Sequence, residues 1–436
     1  MRSTAGCIRE QATFAGLSLR ARLPAQAYHA VRGPTARLGV SASVLLLWDE
    51  ELMRYDLGGT HPMHPGRLEL TMALAQDLSI LARSSLSIAA PEPATDEILA
   101  LVHDPAYIAV VRGAPLREFA HLLADYGLGG QDNPVFDLMH EASALVTGGT
   151  VDAARAVRAG EVVHAVNLSG GLHHAMPARA SGFCVYNDAA VAIAWLLADG
   201  VRRVAYVDVD AHHGDGVEAA FYDDPRVLTI SLHESGYTAF PGTGFPEEAG
   251  GRGAEGTVVN VALPPHTGDS GWLRAFHAVV PPLVRAFEPE ILVTQLGCDT
   301  HHLDPLAQLN LSVDGHRAGY SVLHELAHEV SDGRWVAVGG GGYAIVDVVP
   351  RSWTHFLAEI TGAQLDPATA TPDSWRDLVW ARMGRGAPDL LTDGAEPTYR
   401  PWDAGSGDPD DAVDRAIAAT RRAVFPEHGL DPFDPR

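Results

Sequence analysis

The stretch that decides the fold is residues 205–219, which run AYVDVDAHHGDGVEA. It starts inside an apolar run, residues 204–209, whose length and β-branched side chains predict a buried strand. Carboxylates and imidazoles follow immediately, between Asp208 and Asp215. Burying such groups is costly unless a metal or close partners compensate, and ligands bind at the carboxyl ends of strands in open α/β sheets. We therefore expect a site at the end of this strand.

A second strand end completes the predicted site. The apolar run 291–296 is followed by Gly297, Cys298 and Asp299. Asp210, His212 and Asp299 can make a three-ligand metal site with room for water and substrate, which is the pattern of a catalytic zinc. The same donors also accept ferrous iron or cobalt.

Alternating strand and helix signals predict the fold class. Apolar strands separated by helical stretches indicate βαβ units and a single open, mainly parallel sheet covered by helices on both faces. The predicted strands are 44–48, 162–166, 204–209, 227–231, 258–261, 291–296 and 335–338, and the predicted helices are 67–82, 142–159, 188–198, 272–287 and 314–330.

The chain divides into three predicted parts. Residues 1–43 are rich in arginine and lack a continuous apolar run, so we expect a disordered extension rather than a secretory signal. Residues 44–364 form the predicted catalytic domain. Residues 365–436 are rich in Pro, Asp and Gly, and we expect a loosely packed appendage of unknown role with one short helix at 412–423.

Composition narrows the class of partners. The net charge of −24 argues against nucleic acid as a direct partner, because phosphate binding needs clustered cations. No apolar run is long enough to cross a bilayer, so we expect no membrane partner. The three cysteines, Cys7, Cys184 and Cys298, are far apart, which argues against a disulfide framework and favours the cytoplasm.

Paired histidines are the candidate acid–base groups. His173 and His174 follow a glycine-containing turn, and histidine titrates nearest to neutral pH. Asp208 and Asp215 are suited to orient the two rings and to raise their pKa. The alternative is that these are buried structural histidines and a buried structural carboxylate.

Other candidates lie in glycine-rich or proline-rich segments. Tyr343 follows four glycines, residues 339–342, and could donate a hydrogen bond to a developing oxyanion; the alternative is an ordinary aromatic after a tight turn. No Lys-Ser/Thr follows those glycines, so a P-loop is excluded. Phe183 and Phe240 alone would more often be core residues, and Asp132 is equally compatible with a turn.

Taken in order, these segments resemble the arginase-like histone deacetylase superfamily, and most closely its bacterial acetoin-utilisation (AcuC-type) deacetylases. The similar segments are HPMHPGR at 61–67, DNPVF at 132–136, GLHHA at 171–175, GFCVYND at 182–188, DVDAHHGDG at 208–216, FPGTG at 240–244 and the glycines before Tyr343.

The resemblance implies a role for each candidate. It implies that Asp210, His212 and Asp299 bind a metal. It implies that His174, paired with Asp215, is the general base and acid, and that His173, paired with Asp208, is the electrostatic partner. Tyr343 would polarise the acyl carbonyl. It also implies a substrate tunnel lined by Gly182, Phe183 and Phe240, with Asp132 and Leu306 at its mouth. By the same resemblance, Arg67 lines an internal acetate channel. A structural potassium ion is implied on Asp208, Asp210, His212, Ser231 and Leu232.

The sequence therefore predicts a zinc-dependent deacetylase that hydrolyses N-acetyl-lysine in proteins and releases acetate; relatives suggest an acetylated acyl-CoA synthetase as substrate. Three alternatives remain. An acetylpolyamine amidohydrolase of the same fold would act on small cations. An arginase-like enzyme with two manganese ions would need acids where Gly214 and Gly297 stand. A catalytically inactive module would bind acyl-lysine without hydrolysing it.

Overall fold

The computed structural model describes residues 43–405, 408 and 410–434, and its centre is one open sheet of eight parallel strands. The strand order is β2-β1-β3-β8-β7-β4-β5-β6, and every neighbouring pair is parallel. The strands are β1 (Val44–Leu47), β2 (Leu86–Ala89), β3 (His164–Asn167), β4 (Val204–Asp208), β5 (Val227–Glu234), β6 (Val258–Leu263), β7 (Ile291–Gln295) and β8 (Trp335–Val338). The predicted fold class is confirmed.

Helices cover both faces of this sheet. They are α1 (Gly66–Asp77), α2 (Asp96–Leu99), α3 (Pro105–Gly113), α4 (Met139–Arg158), α5 (Asp188–Ala198), α6 (Asp215–Phe221), α7 (Asp269–Phe287), α8 (Val313–Ser331), α9 (Val349–Ile360), α10 (Asp373–Met383) and α11 (Ala412–Val424). None of the described helices is long and apolar enough to cross a membrane.

Alternating side chains of the strands divide the core into two layers. In β1, Val44 and Leu46 join one buried cluster, whereas Leu45 and Leu47 join a cluster on the opposite face. Because both faces are covered, most strand positions are apolar, and several strands do not simply alternate apolar with polar residues. This explains why most strands could be predicted from short apolar runs.

The segment after residue 364 packs far more closely than we expected. The buried indole of Trp375 in α10 donates a hydrogen bond to the carbonyl of Leu70 in α1 at 2.9 Å. In α11, buried Ile417 lies in the main core cluster, and Arg421 donates to the carbonyl of Ala278 in α7 at 2.7 Å. The expectation of loose packing was wrong because a few large side chains insert into distant helices, although the segment as a whole is polar. The division into three parts stays a prediction, and residues 1–42 lie outside the described residues.

Candidate metal centre and active site

Four adjacent strands place the candidate residues at one edge of the sheet. Side by side, these strands are β3, β8, β7 and β4. His173 and His174 lie in the loop after β3, Tyr343 lies after β8, Asp299 after β7, and Asp210 and His212 after β4. The carboxyl ends of parallel strands thus bring together groups separated by up to 170 positions in the sequence (343 − 173).

Asp210, His212 and Asp299 form the candidate metal centre. One donor atom of each lies within 4.8 Å of a donor atom of the other two, and all three residues are buried. The Nδ1 atom of His212 is 3.1 Å from Oδ1 of Asp210 and 2.9 Å from Oδ2 of Asp299. Burial and the adjacent Asp210 charge raise the pKa of Asp299 above its usual range, as expected for two carboxylates that need a cation between them.

The outer oxygens of both carboxylates are already taken by donors from the protein. Oδ2 of Asp210 accepts hydrogen bonds from the Gln295 amide at 2.6 Å and from the Gly341 backbone at 2.7 Å. Oδ1 of Asp299 accepts one from the Ala211 backbone at 2.8 Å. These bonds turn the remaining oxygens toward His212. Such fixed ligands fit a divalent metal ion, which would polarise an acyl oxygen and acidify a water molecule when bound.

The two histidines form parallel dyads with carboxylates. Nδ1 of His173 is 2.7 Å from Oδ2 of Asp208, and Nδ1 of His174 is 2.7 Å from Oδ1 of Asp215. The two Nε2 atoms are 3.0 Å apart. Tyr206 also donates its hydroxyl to Oδ2 of Asp208 at 2.7 Å, and the Asp210 backbone donates to Oδ1 at 3.2 Å, so this carboxylate is held by three donors.

The two rings differ in charge. Burial alone would lower the pKa of His173, but the charges of Asp208 and Asp210 outweigh it and raise this pKa to about 9. Burial, followed by the positive charge of His173, lowers the pKa of His174 to about 4. Near neutral pH, His173 is therefore a cation and His174 is neutral. Only His174 then has a lone pair that can accept a proton. This lone pair is on Nε2, because Nδ1 donates its proton to Asp215.

Phe240 and Gly182 lie beside His174, and Phe183 lies beside Tyr343. The ring centroid of Phe240 lies 4.9 Å from that of His174, and Phe183 lies 5.6 Å from Tyr343, both edge to face. Gly182 has φ +49°, and a Cβ atom there would lie 2.4 Å from a ring carbon of His174. A side chain at position 182 would therefore displace the histidine. The structure brings these residues together as apolar walls beside the dyads.

Tyr343 is oriented by a carboxylate that we did not predict. Its backbone N–H donates to Oδ2 of Asp304 at 2.8 Å, and Oδ1 of the same buried carboxylate accepts from the backbone of Leu306 at 3.0 Å. Asp304 therefore joins the loop after Asp299 to the loop that carries Tyr343. Burial, with the charges of Asp299 and Asp210, raises the pKa of Tyr343 above its usual range, so the phenol stays protonated and can donate.

Of the other predicted residues, Leu306 and Asp132 lie at the surface and Arg67 lies in the interior. Leu306 is 41% exposed, and Asp132 is exposed with its backbone carbonyl 3.3 Å from Nε2 of His61. Arg67 is buried and donates to the carbonyl of Gly340 at 2.7 Å. No contact described tests the acetate channel, and the potassium site formed by Asp208, Asp210, His212, Ser231 and Leu232 likewise stays a prediction.

Two further polar residues support the site and escaped the sequence analysis. Gln295 ends β7 and contacts both Asp210 and the Gly297 backbone, and its polar side chain at a buried strand end was a usable signal. Asp393 accepts from His301 at 2.9 Å and from the backbone of Val313 at the start of α8 at 2.8 Å. It comes from the C-terminal segment, and no local pattern marks it.

The glycines beside the metal ligands leave no room for a second metal-binding carboxylate. A Cβ atom at Gly297 would lie 2.2 Å from Oδ2 of Asp210, and one at Gly214 would lie 2.5 Å from Oδ2 of Asp208. Aspartate at either position would clash with the carboxylates already present. This packing disfavours the two-manganese alternative.

Comparisons with known proteins agree with this geometry. The histone deacetylase domain family matches residues 61–360. The acetoin utilization protein AcuC of Bacillus subtilis is 41% identical over 332 residues, which cover 76% of this chain and 85% of that protein. AcuC of Staphylococcus xylosus is 37% identical over 330 residues, with the same coverage. A crystal structure of an HDAC homolog complexed with SAHA superposes with a TM-score of 0.74 at 30% identity, covering 87% of this chain and all of that one.

An open parallel sheet with paired histidines and a candidate Asp–His–Asp metal centre at its carboxyl edge thus defines a deacetylase-type hydrolase. The chain belongs to the histone deacetylase family, and within it the chain is an AcuC-like deacetylase.

Proposed function

We propose that the protein is a zinc-dependent deacetylase that hydrolyses the amide of N-acetyl-lysine in protein substrates and releases acetate. One observation carries the proposal. Beside three converging metal ligands lie two histidines whose Nε2 atoms are 3.0 Å apart, and Nδ1 of each contacts its own buried carboxylate at 2.7 Å. Amide hydrolysis needs both a base for water and positive charge near the developing oxyanion.

In the proposed reaction, one histidine transfers protons, and the other histidine and a tyrosine stabilise negative charge. Nε2 of neutral His174 accepts a proton from water and then returns one to the leaving lysine nitrogen. The Asp215 contact fixes the His174 tautomer that this transfer requires. Cationic His173 stabilises negative charge nearby, and the Tyr343 hydroxyl donates to the acyl oxygen as it becomes an oxyanion.

The walls and mouth of the site favour a peptide over a polyamine. Phe183 and Phe240 supply apolar surface that suits the alkyl chain of lysine. Exposed Leu306 offers no charge to a distal ammonium group, whereas Asp132 offers an acceptor that suits the backbone amides beside a lysine. The net charge of −24 attracts any cation and favours the acetylpolyamine alternative, but salt screens this attraction beyond about 10 Å.

The substrate class is tested by comparing kcat/KM for an acetyl-lysine peptide with kcat/KM for acetylspermidine and acetylputrescine at physiological salt. We expect the peptide to be preferred. A tenfold or greater preference for an acetylpolyamine would replace the protein substrate with the small cation. No turnover of any of them by metal-loaded protein would favour the binding module.

A matched pair of variants isolates the residue at the mouth. Leu306→Glu places a carboxylate where a distal ammonium group would lie, and we expect kcat/KM for acetylpolyamines to rise relative to the peptide. An attraction of about 1 kcal/mol would correspond to roughly fivefold. Leu306→Gln keeps the size without the charge and should leave the ratio unchanged. Equal ratios in both variants would show that position 306 does not contact the substrate.

Metal removal tests the candidate centre directly. After dialysis against metal-free buffer, we expect His212→Ala to contain one divalent ion fewer per chain than the unaltered protein, because it lacks one of three ligands. We propose zinc, with ferrous iron or cobalt as substitutes that the same donors accept. Metal analysis and activity should be measured on the same preparations. Loss of two manganese ions instead of one ion would support the ureohydrolase chemistry.

We further propose a cytoplasmic setting and an acetylated acyl-CoA synthetase as one protein substrate, with neither nucleic acid nor membrane as partner. The scattered cysteines and the acidic net charge support this setting, and the two described cysteines, Cys184 and Cys298, are free. Incubation of an acetylated synthetase with the enzyme should restore its unmodified lysine, as measured by mass spectrometry. An unchanged acetylation level, with the peptide still hydrolysed, would exclude that substrate.

A further inference from the structure

Three histidines form a second cluster of nitrogen donors at the opposite edge of the sheet. His164 is the first residue of β3, and His324 and His328 lie on α8. One ring nitrogen of each lies within 4.8 Å of one ring nitrogen of the other two, and all three pairs of ring centroids are 5.0 Å apart. The catalytic residues follow the carboxyl ends of the strands, so β3, with about 3.3 Å per residue, separates the two sites by roughly 10 Å or more.

The sequence of α8 contains a recognisable zinc-binding spacing. Residues 324–328 are His-Glu-Leu-Ala-His, which matches the pattern H-E-x-x-H. On a helix, this spacing puts both histidines on one face, one turn apart, where they can share a metal ion. The pattern alone does not define a metal site. Here, however, it lies on a helix, and a third imidazole from β3 completes a ligand set.

The distance between the helical histidines fits a shared metal ion. Their Nε2 atoms are 3.3 Å apart. Two nitrogens bound to tetrahedral zinc at 2.0–2.1 Å would lie about 3.3–3.4 Å apart. Nδ1 of His324 is 3.1 Å from Oε1 of Glu359. This carboxylate fixes the proton on Nδ1 and leaves the Nε2 lone pair facing His328, as outer carboxylates do in metal sites.

The buried member of the cluster lacks a partner that a metal would supply. The His164 side chain is only 4% exposed, and its Nδ1 makes no hydrogen bond with the described part of the chain. Burial, with the neighbouring His324 and His328, lowers the pKa of His164 to about 3, so this ring is neutral and can act as a ligand. His328 is exposed, which gives ions access from solvent.

We propose that His164, His324 and His328 form a second, exchangeable binding site for a zinc-class divalent ion, distinct from the catalytic centre. Three imidazole ligands favour borderline ions such as Zn²⁺, Ni²⁺ and Cu²⁺ over Mg²⁺ or Ca²⁺. Since no carboxylate binds the ion directly, the site holds it less tightly than the Asp–His–Asp centre. The proposal is independent of the substrate proposed above.

The test is a zinc titration of the full chain after dialysis against metal-free buffer, followed by calorimetry, with bound zinc measured by elemental analysis. We expect one zinc equivalent beyond that of the catalytic centre. His328→Ala changes an exposed side chain, so it should fold and keep deacetylase activity, yet lose this second equivalent. Glu325→Gln alters an exposed residue of the same motif that is not a ligand, and it should keep both equivalents.

A conservative variant separates metal binding from helix packing. Glu359→Gln removes the charge beside His324 with little change of shape, and it should weaken the second site by about 10–100-fold. Unchanged zinc stoichiometry and affinity in His328→Ala would overturn the proposal. The same holds if Glu325→Gln and His328→Ala lose zinc equally, because binding would then follow general changes of the helix.

Discussion

His174→Ala is expected to lower kcat by about 10²–10⁴-fold, because it removes the group that accepts and returns the proton. The reason lies in the two dyads. His174 is the neutral ring, and its Nδ1 contacts Asp215 at 2.7 Å, so its Nε2 has the lone pair. His173→Ala should cost about tenfold less, since His173 supplies charge and orientation rather than the transferred proton.

Both variants should be compared at the same pH with metal occupancy verified. The double variant should lose little more than His174→Ala alone, because groups that act together are not additive. Equal or reversed losses would exchange the roles of the two rings. His121→Ala, at an exposed position outside the site, controls for general effects of removing a histidine.

The pH profile distinguishes charge from packing at His173. Its folded-state pKa is raised, so the cation is present at neutral pH and is lost as pH rises through that value. We therefore expect kcat/KM to fall with rising pH at or below about pH 9, because a bound divalent cation lowers the pKa of a neighbouring imidazolium. His173→Ala should lack this limb. A limb that persists unchanged would assign it to another group.

Tyr343→Phe is the second large effect. It removes one hydroxyl and should lower kcat by about 10²–10³-fold, or about 2.7–4 kcal/mol of transition-state stabilisation. Because the hydroxyl acts mainly on the developing oxyanion, kcat should fall more than KM rises. Steady-state kinetics with the acetyl-lysine peptide measures both, and metal content and thermal unfolding confirm that the site and fold persist.

A near-normal kcat in Tyr343→Phe would remove this residue from the mechanism. Tyr222→Phe is a suitable control, because Tyr222 lies between the end of α6 and the start of β5, whereas the site residues follow the carboxyl ends of the strands. Its kcat should equal that of the unaltered protein.

Short-range patterns predicted the sheet and most of the site because each catalytic group follows directly on an apolar strand. Asp210 and Asp299 are examples, since each stands within four residues after a buried strand. Strand β2 escaped prediction because three of its four residues are only partly buried, so Leu86–Ala89 lacks a continuous apolar run. Helix α9 was not predicted either, although its apolar residues recur with helical spacing; it also buries Arg351, Ser352 and His355.

Residues that act across long sequence separations could not be predicted. Asp393 holds His301 and the start of α8 from 80 or more positions away, and Asp304 reaches Tyr343 across 39 positions. Trp375 meets Leu70 across 305 positions. An acid in a polar, proline-rich segment has the same local signature whether it supports an active site or faces water. Only the folded chain distinguishes the two cases.

The position of β8 has a consequence for synthesis of the protein on the ribosome. This strand is the last of the eight to be made, yet it lies between β3 and β7 in the middle of the sheet. Until residue 338 leaves the ribosome, this order allows only two separate half-sheets. One would be β2-β1-β3, which precedes His173 and His174, and the other would be β7-β4-β5-β6, which precedes Asp210, His212 and Asp299. Each half exposes an unpaired apolar edge, which is the kind of surface that aggregates. We expect nascent chains that end before β8 to need chaperone protection and to acquire the complete catalytic centre only when the last strand inserts.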